Sequence, residues 1–238
     1  MPIQDVQFTD QKWLDFWESF KGLEHQVKGI VKLGQQIKQA DPGLLTDTAE
    51  WVEEYRTQKA AALVRNPLNV KWQSQLDNKS GTGYRECFSS SCAMLAMYWG
   101  KVASDDAYNA IRAKFGDTTD SQAQIRALRS LDLDARFVTN AAVGLLEAEI
   151  LAGRPVGVGW LHQGPVKAPT GGGHWTLCIG FTPEAIVMND PNGEANMVGG
   201  GYVNHSNGAG IRYSRRNWLR RWEADGPGTG WALMVKPR

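Results

Sequence analysis

One cysteine stands where a thiol can become a nucleophile. Cys87 follows the polar, turn-forming segment Lys79–Gly83 and precedes an apolar run that ends at Gly100. This change of composition predicts a helix that begins at the cysteine. The unpaired N–H groups and positive dipole end of a helix favour negative charge, which lowers the pKa of a thiol placed there. Because free cysteines are also commonly buried and inert, local sequence leaves both interpretations open.

The other two cysteines are weaker candidates. Cys92 lies inside the predicted helix among Ala93, Leu95 and Ala96, and is therefore expected in the core. The third is Cys178. An odd number of cysteines without a CxxC pair does not indicate a disulfide framework, so the sequence predicts reduced thiols.

A histidine and an aspartate could complete the chemistry. His174 follows the glycine run Gly171–Gly173 at the start of a predicted strand, and Asp190 ends the next predicted strand. If the two strands pair as antiparallel neighbours, the start of one lies beside the end of the other. The two side chains can then form a base and the carboxylate that holds its tautomer, an arrangement that activates a cysteine. His162 and His205 have no such partner and are not expected to be catalytic.

A glutamine upstream of the cysteine could stabilise negative charge on a substrate oxygen. Gln73 and Gln75 lie in a short segment, residues 70–78, that is expected to be extended and to end in a polar loop. A side-chain N–H from such a residue could act beside the backbone N–H of Cys87 as an oxyanion hole. Glutamines are common in loops, so this signal is weak alone.

Nothing in the sequence calls for a cofactor or a metal. The glycine run Gly171–Gly173 fits no nucleotide-binding pattern. The segment Asp190–Glu194 begins like a calcium loop, but its later glycine and glutamate are misplaced. No histidine and cysteine pair has close zinc-ligand spacing. We therefore expect no cofactor and no metal.

The order of predicted elements indicates an α+β fold. Apolar spacings of three and four predict helices at about 8–38 and 46–64, and residues 1–66 are expected to form a helical N-terminal segment before a main domain at 67–238. Further helices are expected after Cys87, at about 105–115, 122–131 and 141–151. Strands are expected at 135–139, 156–161, 175–181, 185–190 and 230–235. Helices first and strands later are typical of α+β domains.

Charge and hydropathy exclude some partners. The formal net charge is +1, so a mainly electrostatic nucleic-acid or membrane partner is not indicated. Neither a signal peptide nor a membrane-spanning apolar run is visible, and we expect synthesis in a cytoplasm without a signal peptide. The sequence indicates no oligomeric state.

Three ordered motifs resemble those of papain-like cysteine peptidases related to the bacteriocin leader (double-glycine) peptidases. The first is the helix Cys87–Gly100, the second is Gly173–Trp175 followed by Asn189–Gly193, and the third is Ser74–Asn78. Phe88–Ser89 stand where those peptidases usually have Gly-Pro. The resemblance covers about residues 68–238 and implies a nucleophile helix packed on an antiparallel sheet.

The resemblance also implies roles and a function. Cys87 would be the nucleophile, His174 the base, Asp190 its orienting carboxylate, and Gln75 an oxyanion donor, with Gln73 as the fallback. The N-terminal segment Lys21–Gln26 is similar to segments of phage-encoded peptidases. We therefore expect a phage-type lytic peptidase, an endolysin or a virion-associated enzyme, that cuts peptidoglycan stem peptides or cross-bridges after release from the host cytoplasm.

Two other functions stay open from sequence. One is a cysteine peptidase that removes a leader or matures a virion protein. The other is a non-catalytic wall-binding or virion structural protein on an inactive papain-like scaffold, with some of the ten tryptophans as a glycan platform.

Overall fold

The computed structural model describes residues 66–238. The expected helical segment at 1–66, with its helices at 8–38 and 46–64, lies outside the described residues except for Asn66. The boundary between the two predicted domains therefore stays a prediction.

Helices dominate the first half of the described chain and strands the second. After a 3-10 turn at Gly83–Arg85, the elements are α1 Cys87–Tyr98, α2 Asp105–Arg112, α3 Ser121–Ser130, β1 Leu133–Ala141, α4 Val143–Leu151, β2 Val156–Trp160, β3 His174–Phe181, β4 Ala185–Asn189, β5 Glu194–Ala195, β6 Tyr202–Asn204, β7 Ile211–Ser214, α5 Arg215–Trp222 and β8 Gly230–Pro237. The sequence-based expectation of an α+β fold is confirmed.

The sheet brings the site-bearing strands together at its centre. Six strands run in the order β1-β8-β2-β3-β4-β7, and each neighbouring pair is antiparallel. His174 at the start of β3 pairs with Trp160 at the end of β2. Along the other edge of β3, Leu177 pairs with Asn189, the last residue of β4. Strands β5 and β6 form a separate two-stranded ribbon.

Helix α1 is buried along most of its length. Its apolar residues Ala93 to Ala96 are 0% exposed, and the helix packs against β3 and α2. Burying such side chains contributes about 1.5–3 kcal/mol each for the larger ones. The helix that begins at Cys87 is therefore held firmly against the strand that begins at His174.

A buried polar network fixes the first turn of α1. Ser89 Oγ lies 2.7 Å from Thr118 Oγ1 and accepts a hydrogen bond from Gln124 Nε2 at 2.9 Å. Tyr108 donates its hydroxyl hydrogen to Gln124 Oε1 at 2.8 Å. These partners lie on or beside α2 and α3, so the buried hydroxyl of Ser89 is satisfied inside the domain.

Helix caps agree with the sequence at two further helices. Ser104 Oγ accepts from Ala107 N at the start of α2, and Asp120 Oδ1 accepts from Gln122 N at the start of α3. The short strands β5, β6 and β7 were not predicted, because strands of two to four residues leave almost no periodic signal. Helix α5 was not predicted either; its eight residues include four arginines and three apolar residues. Between residues 66 and 238, no helix combines the length and hydropathy needed to cross a bilayer.

Candidate active site

Cys87 occupies the first position of α1, as the sequence predicts. The residue before it, Glu86, is 1% exposed and forms the helix N-cap. Its carboxylate accepts hydrogen bonds from Asn78 Nδ2 at 2.6 Å, Ser80 Oγ at 2.8 Å and Thr82 Oγ1 at 2.9 Å. These bonds hold the polar loop against the start of the helix and so set the position of the cysteine.

His174 is the first residue of β3 and is 3% exposed. The edge of its ring meets the Trp160 indole, with ring centroids 5.4 Å apart and planes at 78°. Trp160 is itself anchored, because its Nε1 donates to Thr176 Oγ1 at 3.1 Å. The imidazole therefore sits in a fixed aromatic wall rather than in solvent.

The structure places His174 in contact with Asp190. His174 Nε2 lies 2.7 Å from Asp190 Oδ1, and the carboxylate is 0% exposed. With Nε2 committed to the carboxylate, Nδ1 is the ring nitrogen left for Cys87, whose side chain hydrogen-bonds to the imidazole. A thiol, an imidazole and a carboxylate thus follow one another through space.

Asp190 is held by residues that sequence analysis did not identify. Tyr213 donates its hydroxyl hydrogen to Asp190 Oδ2 at 2.8 Å, and Asn192 N donates to Oδ1 at 3.0 Å. Trp72 Nε1 donates to the Asp190 backbone carbonyl at 2.7 Å. A Cβ added to Gly208 would overlap the same carbonyl, so a glycine is needed where the two backbones meet.

These contacts shift the pKa of His174 upward. Burial of the ring lowers its pKa, but the charge of Asp190 and the hydrogen bonds with Asp190 and Cys87 outweigh burial and raise the pKa to about 10. The imidazolium form is therefore favoured at neutral pH. A protonated imidazole beside a thiol stabilises the thiolate, which is the nucleophilic form of cysteine.

Gln75 lies at the end of the sheet that carries Asp190. Its backbone N–H donates to the Pro191 carbonyl at 2.8 Å, which ties this residue to the chain just after Asp190. The side chain is 2% exposed, and its Nε2 donates to the Gly83 carbonyl at 2.7 Å. A primary amide has two N–H groups, so one is left to donate elsewhere. The Nε2 of Gln73 bonds only the neighbouring Trp72 carbonyl, at 2.6 Å, among the described residues.

The two other cysteines differ from Cys87 in burial. Cys92 and Cys178 are 0% and 1% exposed, whereas Cys87 is partly exposed. Burial raises the pKa of both inner thiols, which keeps them protonated. The expectation that Cys92 belongs to the core agrees with its place in the buried cluster.

The two remaining histidines of the domain lie near the site without joining the hydrogen-bonded chain. The His162 ring centroid is 5.4 Å from that of His174. Burial, with the nearby charge of His174, lowers the pKa of His162 to about 4, so it is neutral at pH 7. His205 is exposed, and its Nδ1 lies 3.0 Å from the Asn192 carbonyl oxygen.

Residues 66–238 contain no candidate metal site. No group of three or more histidine, cysteine, aspartate or glutamate side chains in that range is placed to hold an ion.

The arrangement of Cys87, His174 and Asp190 can perform nucleophilic acyl transfer. The cysteine can attack a carbonyl carbon, the imidazolium can protonate the leaving group, and the carboxylate keeps the ring oriented.

Comparisons with known proteins place the chain in a family. The structure is similar to a C39-like peptidase from Bacillus anthracis, at 16% identity over 73% of this chain and 98% of that one, with a TM-score of 0.53. It also matches the peptidase domain of Streptococcus ComA, a bifunctional ABC transporter, at 19% identity over 71% of this chain and 100% of that one, with a TM-score of 0.47. None of the curated protein sequences compared matches the chain. The model of the Peptidase_C39 like family matches residues 67–223, and the chain therefore belongs to this family of papain-like cysteine peptidases.

Proposed function

We propose that this chain is a phage-type lytic cysteine peptidase that hydrolyses amide bonds in peptidoglycan peptides. The observation that carries the substrate class is the strip of backbone just before His174. Gly171 and Gly172 are exposed, and a Cβ built on Gly172 or Gly173 meets no atom within 4 Å. A peptide can therefore lie along Gly172 and Gly173 without meeting a side chain, whereas a Cβ built on Gly171 would stand 3.2 Å from the Gln163 side chain.

A strip without side chains suits wall peptides because these contain both L and D residues. Side chains of the two configurations leave an extended backbone in different directions, and a surface with Cβ atoms shaped for one clashes with the other. Glycine allows close approach of a ligand to the backbone whichever way its side chains point. The strip thus supports stem peptides and cross-bridges as substrates over ordinary L-peptides.

The proposed reaction uses four residues. The Cys87 thiolate attacks the carbonyl carbon, and the oxyanion accepts hydrogen bonds from the Cys87 N–H and the Gln75 amide. The imidazolium of His174 gives its proton to the leaving amine, which departs and leaves a thioester. Water then attacks the thioester while His174 takes its proton, the C–S bond breaks, and release of the new carboxyl group restores the thiolate and the imidazolium. Asp190 keeps the imidazole oriented throughout.

Purified protein incubated with isolated cell walls tests the proposal. We expect soluble peptides that carry new amino groups, and mass spectrometry of these fragments identifies the bond. Cys87→Ala should release none while keeping the native circular dichroism spectrum. His205→Ala is the matched control for His174→Ala, since His205 lies outside the hydrogen-bonded chain, and it should retain activity.

Two outcomes would replace the proposal. Equal release by Cys87→Ala would refute the cysteine mechanism. New amino groups from candidate precursor proteins, with none from walls, would make the chain a leader-removing or virion-processing peptidase. The proposal includes action at the cell wall after release from the host cytoplasm or from a virion. That second outcome would refute this location as well.

A further inference from the structure

A half-open cavity of about 270 Å³ adjoins the glycine strip. Gly171–Gly173 line one part of it, and Trp160, Trp222 and Trp231 line another. Pockets for whole small ligands usually begin at about 300 Å³, so this space suits a single side chain better than a complete ligand. Because the strip leads directly to His174, a side chain in this cavity would belong to a peptide bound at the reactive site.

The tryptophan walls are rigid and apolar. Trp160 Nε1 is bonded to Thr176, and Trp222 Nε1 donates to the Trp231 carbonyl at 2.9 Å. A Cβ on Gly230 would overlap the Trp222 ring, so the ring lies flat on the backbone there. Trp231 is 47% exposed, which leaves its ring accessible at the opening. Trp160 and Trp222 are 2% and 3% exposed, so Trp231 supplies the accessible face. An exposed indole face favours methylene groups and also attracts cations.

The two charged residues that line the cavity, Arg221 and Asp225, differ in whether a ligand can reach them. Arg221 is 0% exposed. Its guanidinium donates to four backbone carbonyls, those of Met197, Leu161, Gln163 and Gly164. It is therefore occupied in holding the surrounding loops. Asp225 is exposed and supplies a carboxylate that a ligand can reach.

This pairing of apolar faces with one accessible carboxylate specifies a ligand chemistry. On the basis of the proposed function, we infer that the cavity is a subsite for a long aliphatic side chain that ends in an ammonium group, as in lysine and related diamino acids. The methylene stem lies on the Trp231 ring, and the ammonium reaches Asp225. The buried charge of Arg221 repels an ammonium from the interior, which favours the exposed position beside the carboxylate.

Part of the cavity wall lies after the residues that the family model matches. Asp225 and Trp231 follow residue 223, where the family match ends. They lie on the connection from α5 to β8 and on β8 itself.

Calorimetric titration of the full-length Cys87→Ala variant measures the subsite without turnover. Three peptides of sequence L-alanyl-γ-D-glutamyl-X-D-alanine are compared, with X as L-lysine, L-norleucine or L-glutamate. We expect the lysine peptide to bind about threefold to tenfold more tightly than the norleucine peptide, and the glutamate peptide to bind most weakly.

Two substitutions separate the contributions of the walls. Asp225→Asn should weaken the lysine peptide about twofold to fivefold and leave the norleucine peptide unchanged. Trp231→Ala should weaken binding of both the lysine peptide and the norleucine peptide. The milder Trp231→Phe covers the case in which the alanine variant misfolds. Asp134→Asn is the matched control, because this exposed carboxylate on β1 does not line the cavity, and it should change neither.

Binding tests the subsite, and hydrolysis tests the proposed function on which the subsite rests. Norleucine binding as tight as lysine binding, an unchanged lysine affinity in Asp225→Asn, or no binding of any peptide would overturn the subsite. Wall hydrolysis by the wild type with any of these results leaves the proposed function standing. Lysine-selective binding without wall hydrolysis would overturn the proposed function alone.

Discussion

The ring of Phe88 stacks on the ring of Trp175, with centroids 3.8 Å apart and planes 8° from parallel. Each of the two directly follows a site residue, Cys87 or His174. The stack thus joins the first turn of α1 to the first residues of β3. A Cβ on Gly159 would stand 2.9 Å from the Trp175 ring, so glycine on β2 leaves the space in which that ring lies. The bulky residue that departs from the usual Gly-Pro pattern therefore has a structural partner.

Removing one ring of this stack should weaken both the fold and the reaction. Phe88 is 3% exposed, and Phe88→Ala should lower the free energy of unfolding by about 3–5 kcal/mol through the cavity it leaves. It should also lower kcat, because the distance between the thiol and the imidazole loses its support. Denaturant unfolding and steady-state kinetics measure the two effects. Tyr84→Ala, at an aromatic that is 77% exposed, is the control and should change stability by less than about 0.5 kcal/mol. A Phe88→Ala variant as stable as the control would contradict this role for the stack.

Asp190 should control the alkaline limb of the pH profile. The pKa of His174 is raised to about 10, so kcat/KM should fall as pH rises through about 10 and the leaving group loses its acid. Asp190→Asn removes the charge that raises this pKa, so the alkaline limb should move to lower pH and kcat/KM at neutral pH should fall roughly tenfold to a hundredfold.

The same shift predicts how stability depends on pH. The folded pKa of His174 lies above its ordinary value of 6.5, so its interaction with Asp190 stabilises the fold fully below about pH 6.5 and is lost as pH rises through about 10.

Tyr213→Phe is the control for the kcat/KM profile of Asp190→Asn. It keeps the Asp190 charge and removes one hydrogen bond, so the alkaline limb of its kcat/KM profile should move less. An alkaline limb that stays in place in Asp190→Asn would show that another group controls it.

Local signals in the sequence were enough to predict the start of α1 and the pairing of β3 with β4. The change from turn formers to apolar residues at Cys87 is contained in about twenty residues, and α1 begins there. His174 and Asp190 lie on strands that neighbour each other in sequence and in the sheet, so antiparallel pairing alone predicted their approach.

Long-range contacts account for what could not be predicted. Trp72 is 118 residues from the aspartate whose backbone it binds, and Tyr213 is 23 residues away on a four-residue strand. No spacing rule links such positions, because only the completed sheet order brings them together. The Phe88–Trp175 stack escaped prediction for the same reason, since an aromatic after a site residue has many possible partners.

Gln75 should act in the transition state. Gln75→Ala should lower kcat about 10²–10³-fold and change KM little, the pattern of a lost oxyanion donor. It also leaves the Gly83 carbonyl without its partner, so the free energy of unfolding should fall by about 1–3 kcal/mol. Gln73→Ala is the matched control, because its amide bonds only the neighbouring backbone among the residues described, and should retain activity. Loss of kcat in Gln73→Ala instead would transfer the oxyanion role to that residue.

Selective alkylation should distinguish an active enzyme from an inactive scaffold. At pH 7, iodoacetamide should modify Cys87 in the native protein faster than it modifies the same thiol in unfolded protein, because the imidazolium beside it favours the thiolate. Burial raises the pKa of Cys92 and Cys178 and covers both sulfurs, so these two should react only after unfolding. Mass spectrometry of the digested protein counts and locates the labels. His174→Ala removes the imidazolium and should slow the modification of Cys87, whereas His205→Ala should not. A Cys87 that reacts no faster in the native protein than in the unfolded one would favour the non-catalytic scaffold, in which the tryptophans rather than the thiol carry the function.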